Sequence, residues 1–470
     1  MAFNSLQYIA FLIVVVAITR QLQVRVRNIF LLLISYLFYA SWDWRFLSLI
    51  AISTVLGYTS GLAMGRETNE RRRQQILISR VALNLVFLGI FKYLGFFVES
   101  ANGLLEAIGL SGTSSVPNII LPVAISYYTF EEISYAMDVY RRRVEPTRNV
   151  VDYALFVAFF PKLVAGPILR PEQLLPQLRA ATPKLTSDTL FTSIGLILFG
   201  LVKKVVIADQ MVPIVSRAFD DPGSASAMTL LLGALAFSFQ IYGDFSGYSD
   251  IARGSSRLLG IELPRNFEQP YLSTNVTEFW RTWHISLSTW LRDYLYVPLG
   301  GNRGTPRRTM INLFIVMMLG GLWHGAAWTF VAWGALHGIY LAVERALGVK
   351  PRPLQNPRGF GDYVRILGCF AIVSLTWIFF RARTFAQAID YFEGIFTFRS
   401  GGFEQGALML VVFAALLVAV SDLLMRRFED GGARLFFQRP VTFGAIVGVS
   451  LLLIVAASGA RPEPFIYFQF

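Results

Sequence analysis

Long apolar runs separated by short polar connections extend along the whole chain. A transmembrane helix needs about 20 apolar residues, and several runs are shorter than that, so they predict about 11 crossings with additional re-entrant or interfacial helices. The sequence therefore predicts an all-α, polytopic integral membrane protein. The apolar runs are Leu6–Thr19, Ile29–Ala40, Phe46–Met64, Val81–Val98, Ile119–Val139, Val151–Leu169, Leu190–Ala208, Met228–Phe245, Met310–Phe330, Val331–Leu347, Val364–Phe380, Leu408–Leu424 and Val441–Ala457.

Composition and connection lengths agree with this class. Hydrophobic residues make up 54% of the chain and charged residues 15%, whereas a soluble domain carries about 25% charged residues. The longer polar connections, Arg170–Thr189 and Lys350–Asp362, contain proline and are predicted to be surface loops. We therefore predict a single membrane domain over residues 1–470, with its core motifs in residues 120–345.

Basic residues concentrate on alternate connections. Residues 1–19 contain no Lys or Arg, whereas Arg20–Arg27, Arg66–Arg80 and Arg141–Arg148 are rich in Arg. Between Tyr93 and Tyr140 there is again no basic residue. Because cytoplasmic loops of membrane proteins carry the excess of Lys and Arg, this alternation predicts an N-terminus outside the cytoplasm.

The net charge of +12 follows from these predicted cytoplasmic connections. It indicates contact with anionic membrane lipids, or with an anionic cytosolic ligand, rather than nucleic-acid binding. The single cysteine, Cys369, excludes an intramolecular disulfide and a cysteine metal cluster, and we expect it to pack within a helix. No metal site is predicted.

One polar segment, Tyr242–Asn302, interrupts the apolar pattern and is rich in aromatic residues. Within it, His284, Ser288 and Arg292 are spaced i, i+4 and i+8, which places them on one face of a helix. The tryptophans of the stretch fall on other faces. The pattern predicts an amphipathic helix at the membrane interface or along a polar cavity.

One of only three histidines, His324, lies in the apolar sequence LGGLWHGAAWTF (Leu319–Phe330). Ionisable side chains within membrane segments are rare and are functional candidates by default. The residues alone leave two interpretations open, a hydrogen-bonded packing histidine or a group that takes part in chemistry.

Two long stretches, NFEQPYLSTNVTEFWRTWHISLSTWLRDYLYVPLGGNRG and GGLWHGAAWTFVAWGALHGIYL, resemble the membrane-bound O-acyltransferase (MBOAT) family. More narrowly, they resemble its bacterial branch of alginate O-acetyltransferases. The resemblance extends to Leu121–Pro146, Phe159–Pro171 and the C-terminal PFIYFQF, and so covers almost the whole chain. Two residues depart from the pattern: Lys162 stands where an uncharged polar residue is expected, and Glu131 stands where Gln is expected.

The resemblance implies that His324 is the active-site histidine and that helices surround a central tunnel through the membrane. It implies acetyl-CoA as a donor that enters from the cytoplasm, with no bound cofactor. The implied product is an O-acetyl ester on an extracytoplasmic polysaccharide, often made through a periplasmic partner acetyltransferase of the SGNH type. The implied location is the bacterial inner membrane, where the N-terminus that the charge pattern places outside the cytoplasm is periplasmic.

The chemistry of histidine fits this role. Acyl transfer from a thioester to a hydroxyl requires removal of the hydroxyl proton as the oxygen attacks, and an imidazole with a pKa of about 6.5 accepts such a proton. A thioester leaves as a thiolate without metal assistance. Because the sequence has neither an HExxH nor a GxSxG motif, direct attack by the acceptor, without an acyl-enzyme, is the simpler hypothesis.

The other two histidines each have a structural alternative. His284 is predicted on the substrate side, or else it anchors an interfacial helix. His337 lies 13 residues after His324, which is about 20 Å along one straight helix. It can therefore line the tunnel near His324 only if a break separates the two.

Further candidates are polar or aromatic residues of the same region. Those for substrate binding or the tunnel lining are Asp293, Asn302, Trp323, Asp244 and Asp250. Local caps, salt bridges and packing are the alternatives for these residues. The candidates for contact with the phosphates of the donor are Arg303, Arg307 and Arg308, which a positive-inside loop explains equally well.

Other functions leave a similar sequence. Within the family, the alternatives are transfer of D-alanyl groups for teichoic acid and acetylation of peptidoglycan or cellulose. A transporter or flippase also has many helices and a few intramembrane charges, although the polar groups here cluster in residues 242–337 and form no two-halves repeat. A structural assembly subunit would not need His324.

Overall fold

The computed structural model describes residues 1, 3–112, 115, 119–164, 166–349, 359–428, 439–458 and 465–466. Every regular element in these ranges is a helix, which confirms the all-α class. The chain divides into two compact units. The first is Met1–Lys184 together with Leu259–Leu263, and the second is Leu185–Leu258 together with Pro264–Phe470. The single domain over residues 1–470 stays a prediction.

The first unit is built from helices of very different lengths. A π-helical turn at Gly89–Tyr93 joins its fourth and fifth helices into one continuous run. The helices are α1 (Leu6–Thr19), α2 (Val24–Asp43), α3 (Leu47–Arg66), α4 (Glu70–Leu88), α5 (Leu94–Ala107), α6 (Ile125–Tyr140), α7 (Val150–Ala158), α8 (Phe160–Leu163) and α9 (Pro171–Arg179).

Buried ion pairs join helices of the first unit. Arg80 on α4 lies 2.6 Å from a carboxylate oxygen of Glu132 on α6, and both side chains are buried. Lys162 on α8 forms a second buried ion pair with Glu131 on α6. The two residues that depart from the family pattern are therefore partners of each other. Removal of either would leave an uncompensated buried charge, at a cost of about 3–5 kcal/mol.

The second unit contains all three histidines and the polar segment except Leu259–Leu263. A π-helical turn, Val202–Ala208, joins its first two helices. The helices are α10 (Ser187–Leu201), α11 (Asp209–Phe219), α12 (Ala227–Leu258), α13 (Val276–Thr282), α14 (Ile285–Leu291), α15 (Pro306–His324), α16 (Trp328–Ala346), α17 (Phe360–Arg381), α18 (Phe385–Phe396), α19 (Gln405–Phe428) and α20 (Pro440–Ala457).

By length and composition, the described part of the chain has six candidate membrane spans. They agree with the predicted membrane class, and the number of crossings stays a prediction. The first of them includes both α2 and α3, each 20 residues long. The spans are Val24–Arg66, Glu70–Ala107, Ser187–Phe219, Ala227–Leu258, Phe360–Arg381 and Gln405–Asp422.

The amphipathic helix predicted through His284, Ser288 and Arg292 is wrong. His284 has a left-handed backbone (φ 42°, ψ 54°), which ends the helical path between α13 and α14. A π-helical turn then begins at Arg292. As a result His284 is buried while Arg292 is exposed, so these residues share no common face.

Two other predictions of local structure are also wrong. The predicted loop Arg170–Thr189 contains α9, because Pro171 starts a helix whose leucines are buried. The apolar run Val151–Leu169, a candidate for one continuous crossing, instead forms the short helices α7 and α8, since Phe159 is not helical (φ −55°, ψ 111°). Of the predicted loop Lys350–Asp362, residues 350–358 lie outside the described ranges. The same is true of PFIYFQF except Phe465 and Ile466, which are buried.

The helices α15 and α16 form an antiparallel hairpin whose turn is Gly325–Ala327. The two backbones approach closely at Gly321 and Gly334. A Cβ atom on Gly321 would lie 2.2 Å from the carbonyl oxygen of Phe330. Glycine is therefore required at this crossing, and the hairpin carries His324 at its turn.

Candidate active site

His324 is the last residue of α15 and is only 3% exposed. Its ring is enclosed by three aromatic side chains. The ring centroids lie 5.0 Å from Trp323, 5.2 Å from Trp333 and 5.3 Å from Phe380. The end of α15 thus places the imidazole in an aromatic cage built from α15, α16 and α17.

The left-handed turn between α13 and α14 brings His284 to the same place. Its ring centroid lies 6.1 Å from that of His324, and 4.6 Å from Phe245 of α12. The turn is held by Asn266, which is buried and accepts hydrogen bonds from the main-chain amides of Ile285 (2.9 Å) and Ser286 (3.2 Å). The strained backbone is therefore fixed by its surroundings, as is typical of functional sites.

His337 occupies a different environment, two and a half turns into α16. Its Nδ1 accepts a hydrogen bond from the indole of Trp280 (3.2 Å), so its Nε2 carries the proton and donates to Thr376 Oγ1 (3.0 Å). The ring of Trp333 lies between the two imidazoles of the hairpin, 5.0 Å from His337 and 5.2 Å from His324. The turn Gly325–Ala327 is the break that separates His324 from His337. Both ring nitrogens of His337, however, already form hydrogen bonds to protein side chains.

Comparison with known proteins identifies the family of this chain. The family model of the membrane-bound O-acyltransferases (MBOAT) matches residues 147–381, which include all three histidines. A probable alginate O-acetylase (AlgI) of Azotobacter vinelandii is 43% identical over 89% of this chain and 82% of that protein. The chain belongs to the MBOAT family. It is an acyltransferase.

More distant MBOAT relatives act on other polymers. A peptidoglycan O-acetyltransferase of Helicobacter pylori is 37% identical over 78% of this chain and 73% of that protein. A teichoic acid D-alanyltransferase of Bacillus subtilis is 30% identical over 48% of this chain and 59% of that protein. The matches thus include proteins named for two acyl groups and three polymers.

Of the other predicted residues, Trp323 contacts the histidine pair, and Asp244 is adjacent in sequence to a residue that does. Trp323 is buried, and its ring lies 5.9 Å from that of His284. Asp244 is also buried and precedes Phe245, which contacts His284. Its carboxylate pairs with Lys204 (2.8 Å) and accepts a hydrogen bond from the amide of Ile466 (2.6 Å). Asp250 pairs with Lys203 at 2.8 Å.

The remaining candidates lie apart from the pair. Asp293 forms a salt bridge with the adjacent Arg292 (2.7 Å), which is the local alternative considered for it. Asn302 and the three arginines are exposed, around the N-terminal end of α15. The 19 residues of α15 separate this end from His324 by about 27 Å. Roles for these residues stay predictions: substrate binding for Asp293 and Asn302, and donor binding for Arg303, Arg307 and Arg308.

Sequence reasoning missed Trp333, Phe380 and Asn266 as parts of the site. A helical-wheel signal for Trp333 existed, because it lies four residues before His337 on one helix. Phe380 and Asn266 reach the site from distant parts of the chain, and no local pattern indicates either of them.

The two hydrogen bonds of the His337 ring lead to a prediction about the stability of the protein. Replacement of Thr376 by valine keeps the shape but leaves the buried Nε2–H of His337 without an acceptor, so we expect a loss of about 1–3 kcal/mol of stability. Thermal unfolding of the purified protein in detergent measures it as a lower Tm. Thr397→Val, which removes a similar hydroxyl at an exposed position, is the control. Equal Tm values for both variants would contradict the bonding assigned to His337.

Proposed function

We propose that this chain is a membrane O-acetyltransferase that moves acetyl groups from cytoplasmic acetyl-CoA for O-acetylation of an extracytoplasmic, alginate-like polysaccharide. One observation carries the proposal: two buried histidines, His284 and His324, lie with ring centroids 6.1 Å apart in an MBOAT chain. The similarity to alginate O-acetylases over most of the chain supports the acetyl group and the polysaccharide.

In the proposed reaction, a hydroxyl oxygen of the acceptor attacks the carbonyl carbon of the thioester. A C–O bond forms, and the C–S bond breaks. His324 takes the hydroxyl proton, which then passes to the departing thiolate, so that CoA leaves as the free thiol. General base catalysis of this kind contributes about 10²–10⁴-fold to the rate. The acceptor attacks directly, and no acyl-enzyme forms.

In the proposed reaction, the imidazole of His284 binds one of the reacting oxygen atoms. Neither of its ring nitrogens has a hydrogen-bond partner among the described residues. A neutral imidazole offers one donor and one acceptor, and leaving such a group buried without partners costs about 1–3 kcal/mol. A substrate that supplies the missing partner recovers this energy, so His284 favours a bound hydroxyl or carbonyl oxygen beside His324.

The proposed topology has about 11 crossings around a central tunnel in the bacterial inner membrane, within one domain and with a periplasmic N-terminus. The basic loop before α15 supports a defined orientation of this helix, because the positive-inside rule assigns the loop to the cytoplasm. The helix α15 is not among the six candidate spans, but its rise of about 27 Å is close to the thickness of the hydrocarbon core, about 30 Å. His324 would then lie near the opposite side, where an extracytoplasmic acceptor arrives.

The exposed arginines at the start of α15 give a donor-binding prediction. We expect that simultaneous replacement of Arg303, Arg307 and Arg308 by alanine raises KM for acetyl-CoA and leaves kcat unchanged. Exposed charge contacts contribute about 0.5 kcal/mol each, so three of them give roughly a tenfold change in KM, reduced at high salt. An unchanged KM would mean that the arginines serve only the orientation of the loop.

The acceptor defines the second candidate function. The peptidoglycan O-acetyltransferase among the relatives favours acetylation of peptidoglycan by the same site. Transfer to a periplasmic partner of the SGNH type, which then acetylates the polymer, needs the same chemistry in this chain. These alternatives differ in the hydroxyl that attacks and keep His284 and His324 in their roles.

The proposal is tested with purified protein in sealed proteoliposomes. Radiolabelled acetyl-CoA is supplied outside, with alginate oligosaccharides, peptidoglycan fragments or an SGNH-type partner trapped inside. We expect release of CoA outside and labelled ester inside, in proportion to the number of correctly oriented molecules. Intact, folded protein that releases no CoA with any acceptor would contradict the proposal and favour a transporter or a structural subunit.

A further inference from the structure

The short helix α13 leads directly to the turn that carries His284. Its first turn is bound by a side chain of another helix, Glu344 of α16. One carboxylate oxygen of Glu344 accepts from the amide of Val276 (2.7 Å), and the other accepts from the amide (2.9 Å) and the hydroxyl (2.6 Å) of Thr277. A single carboxylate therefore accepts three hydrogen bonds from the start of α13.

A second contact lies further along both helices. The indole of Trp280 on α13 donates to His337 of α16 at 3.2 Å. On α16, His337 and Glu344 are seven residues apart, which is close to two turns and places them on one face. The two contacts together prevent α13 from sliding or rotating on α16 without loss of hydrogen bonds.

This attachment reaches the site over a short distance. The seven residues of α13 span about 10 Å, and Trp283 and His284 follow immediately. The helix α16 also carries Trp333, whose ring contacts His324. One helix thus fixes the surroundings of both histidines.

We propose that Glu344 is a positioning residue for acyl transfer: by binding the first turn of α13 it holds His284 at its distance from His324. The inference rests on the proposed function for its kinetic consequence. Glu344 touches no reacting group and acts only through α13. A displacement of about 1 Å at a catalytic group costs up to about a hundredfold in rate, so loss of the attachment lowers kcat while binding of the donor changes little.

The chain contains a reporter of this attachment that does not depend on activity. A cavity of about 630 Å³ lies beside the contact, and Glu344, Asn275, Val276 and Cys369 are among the residues that line it. Cys369 is the only cysteine of the chain and is 6% exposed. When α13 separates from Glu344, this wall of the cavity opens, and a maleimide reagent reaches the thiol more rapidly.

The experiment compares Glu344→Gln, Glu344→Asp and Thr277→Val with the wild type in nanodiscs. Glutamine loses one acceptor oxygen, aspartate keeps the charge but is one methylene too short, and valine removes one hydrogen bond. We expect Glu344→Gln and Glu344→Asp to lower kcat about tenfold to a hundredfold, with unchanged KM for acetyl-CoA and faster labelling of Cys369. Glu393→Gln, an exposed glutamate of α18, is the matched control and should change neither readout.

If a Glu344 variant folds poorly, Thr277→Val carries the test, because it keeps Glu344 and removes one hydrogen bond. A double-mutant cycle with folded Glu344→Ala is the further test. Thr277→Val should lower kcat in the wild type and have no further effect in Glu344→Ala, where its partner is already absent. Independent, multiplied effects would overturn the inference. So would wild-type kcat and wild-type labelling of Cys369 in both Glu344 variants. If the wild type proves to have no acetyltransferase activity, the proposed function fails, whereas Cys369 labelling still reports on the attachment.

Discussion

Replacement of His324 by alanine is expected to lower kcat for acetyl transfer by about 10²–10⁴-fold, the contribution of a general base. The reason is the position of His324 at the turn of the α15–α16 hairpin, inside an aromatic cage and 6.1 Å from His284. KM for acetyl-CoA should change little, because the imidazole acts on the acceptor proton. CoA release and acceptor labelling in nanodiscs measure both constants.

The control for this variant is a buried polar change at a side chain that is not part of the histidine site. Tyr391→Phe removes a hydrogen bond to the carbonyl of Leu230 (2.6 Å) on α12, and we expect it to lower Tm without loss of kcat. If His324→Ala is folded and keeps the wild-type rate, His324 is a packing residue. The assignment of the active site would then be incorrect.

The second large effect is expected at His284. Its left-handed backbone makes the choice of replacement important, because asparagine adopts this conformation far more readily than alanine. His284→Asn therefore preserves the turn and removes the ring, and we expect kcat to fall about tenfold to a hundredfold through loss of one or two hydrogen bonds to the reacting oxygen. His284→Ala should show the same kinetic loss with an additional decrease in Tm.

The comparison of these variants separates chemistry from folding. A kinetic loss in His284→Ala alone would mean that the backbone of the turn is important and the imidazole is not. Activity at the wild-type level in both variants would contradict the role assigned to His284. In that case the missing hydrogen-bond partners of its ring would need another explanation.

Much of the fold can be predicted from hydrophobic periodicity. The predicted run Leu6–Thr19 coincides with α1, and Val364–Phe380 lies within α17. These helices follow from apolar length alone, which acts locally. The sequence likewise singles out His324, because the family motifs contain it and because an ionisable group in an apolar run is rare.

The parts that fail depend on contacts distant in sequence. The break at His284 is held by Asn266, and its local sequence fits a continuous amphipathic helix equally well. Periodicity therefore cannot reveal that His284 leaves the helical face and turns into the core. The pairing of Lys162 with Glu131, 31 residues apart, is invisible for the same reason. Tertiary contacts, which propensity does not include, decide each of these cases.

The most direct test of the central claim, that His284 and His324 form one active centre for acyl transfer, is the rate of the double variant His284→Asn/His324→Ala. Residues that act as a unit on one step lose their effects non-additively. A shared active centre predicts that the double variant releases CoA as slowly as His324→Ala and no slower. If the two losses multiply, the histidines act independently and do not form one active centre.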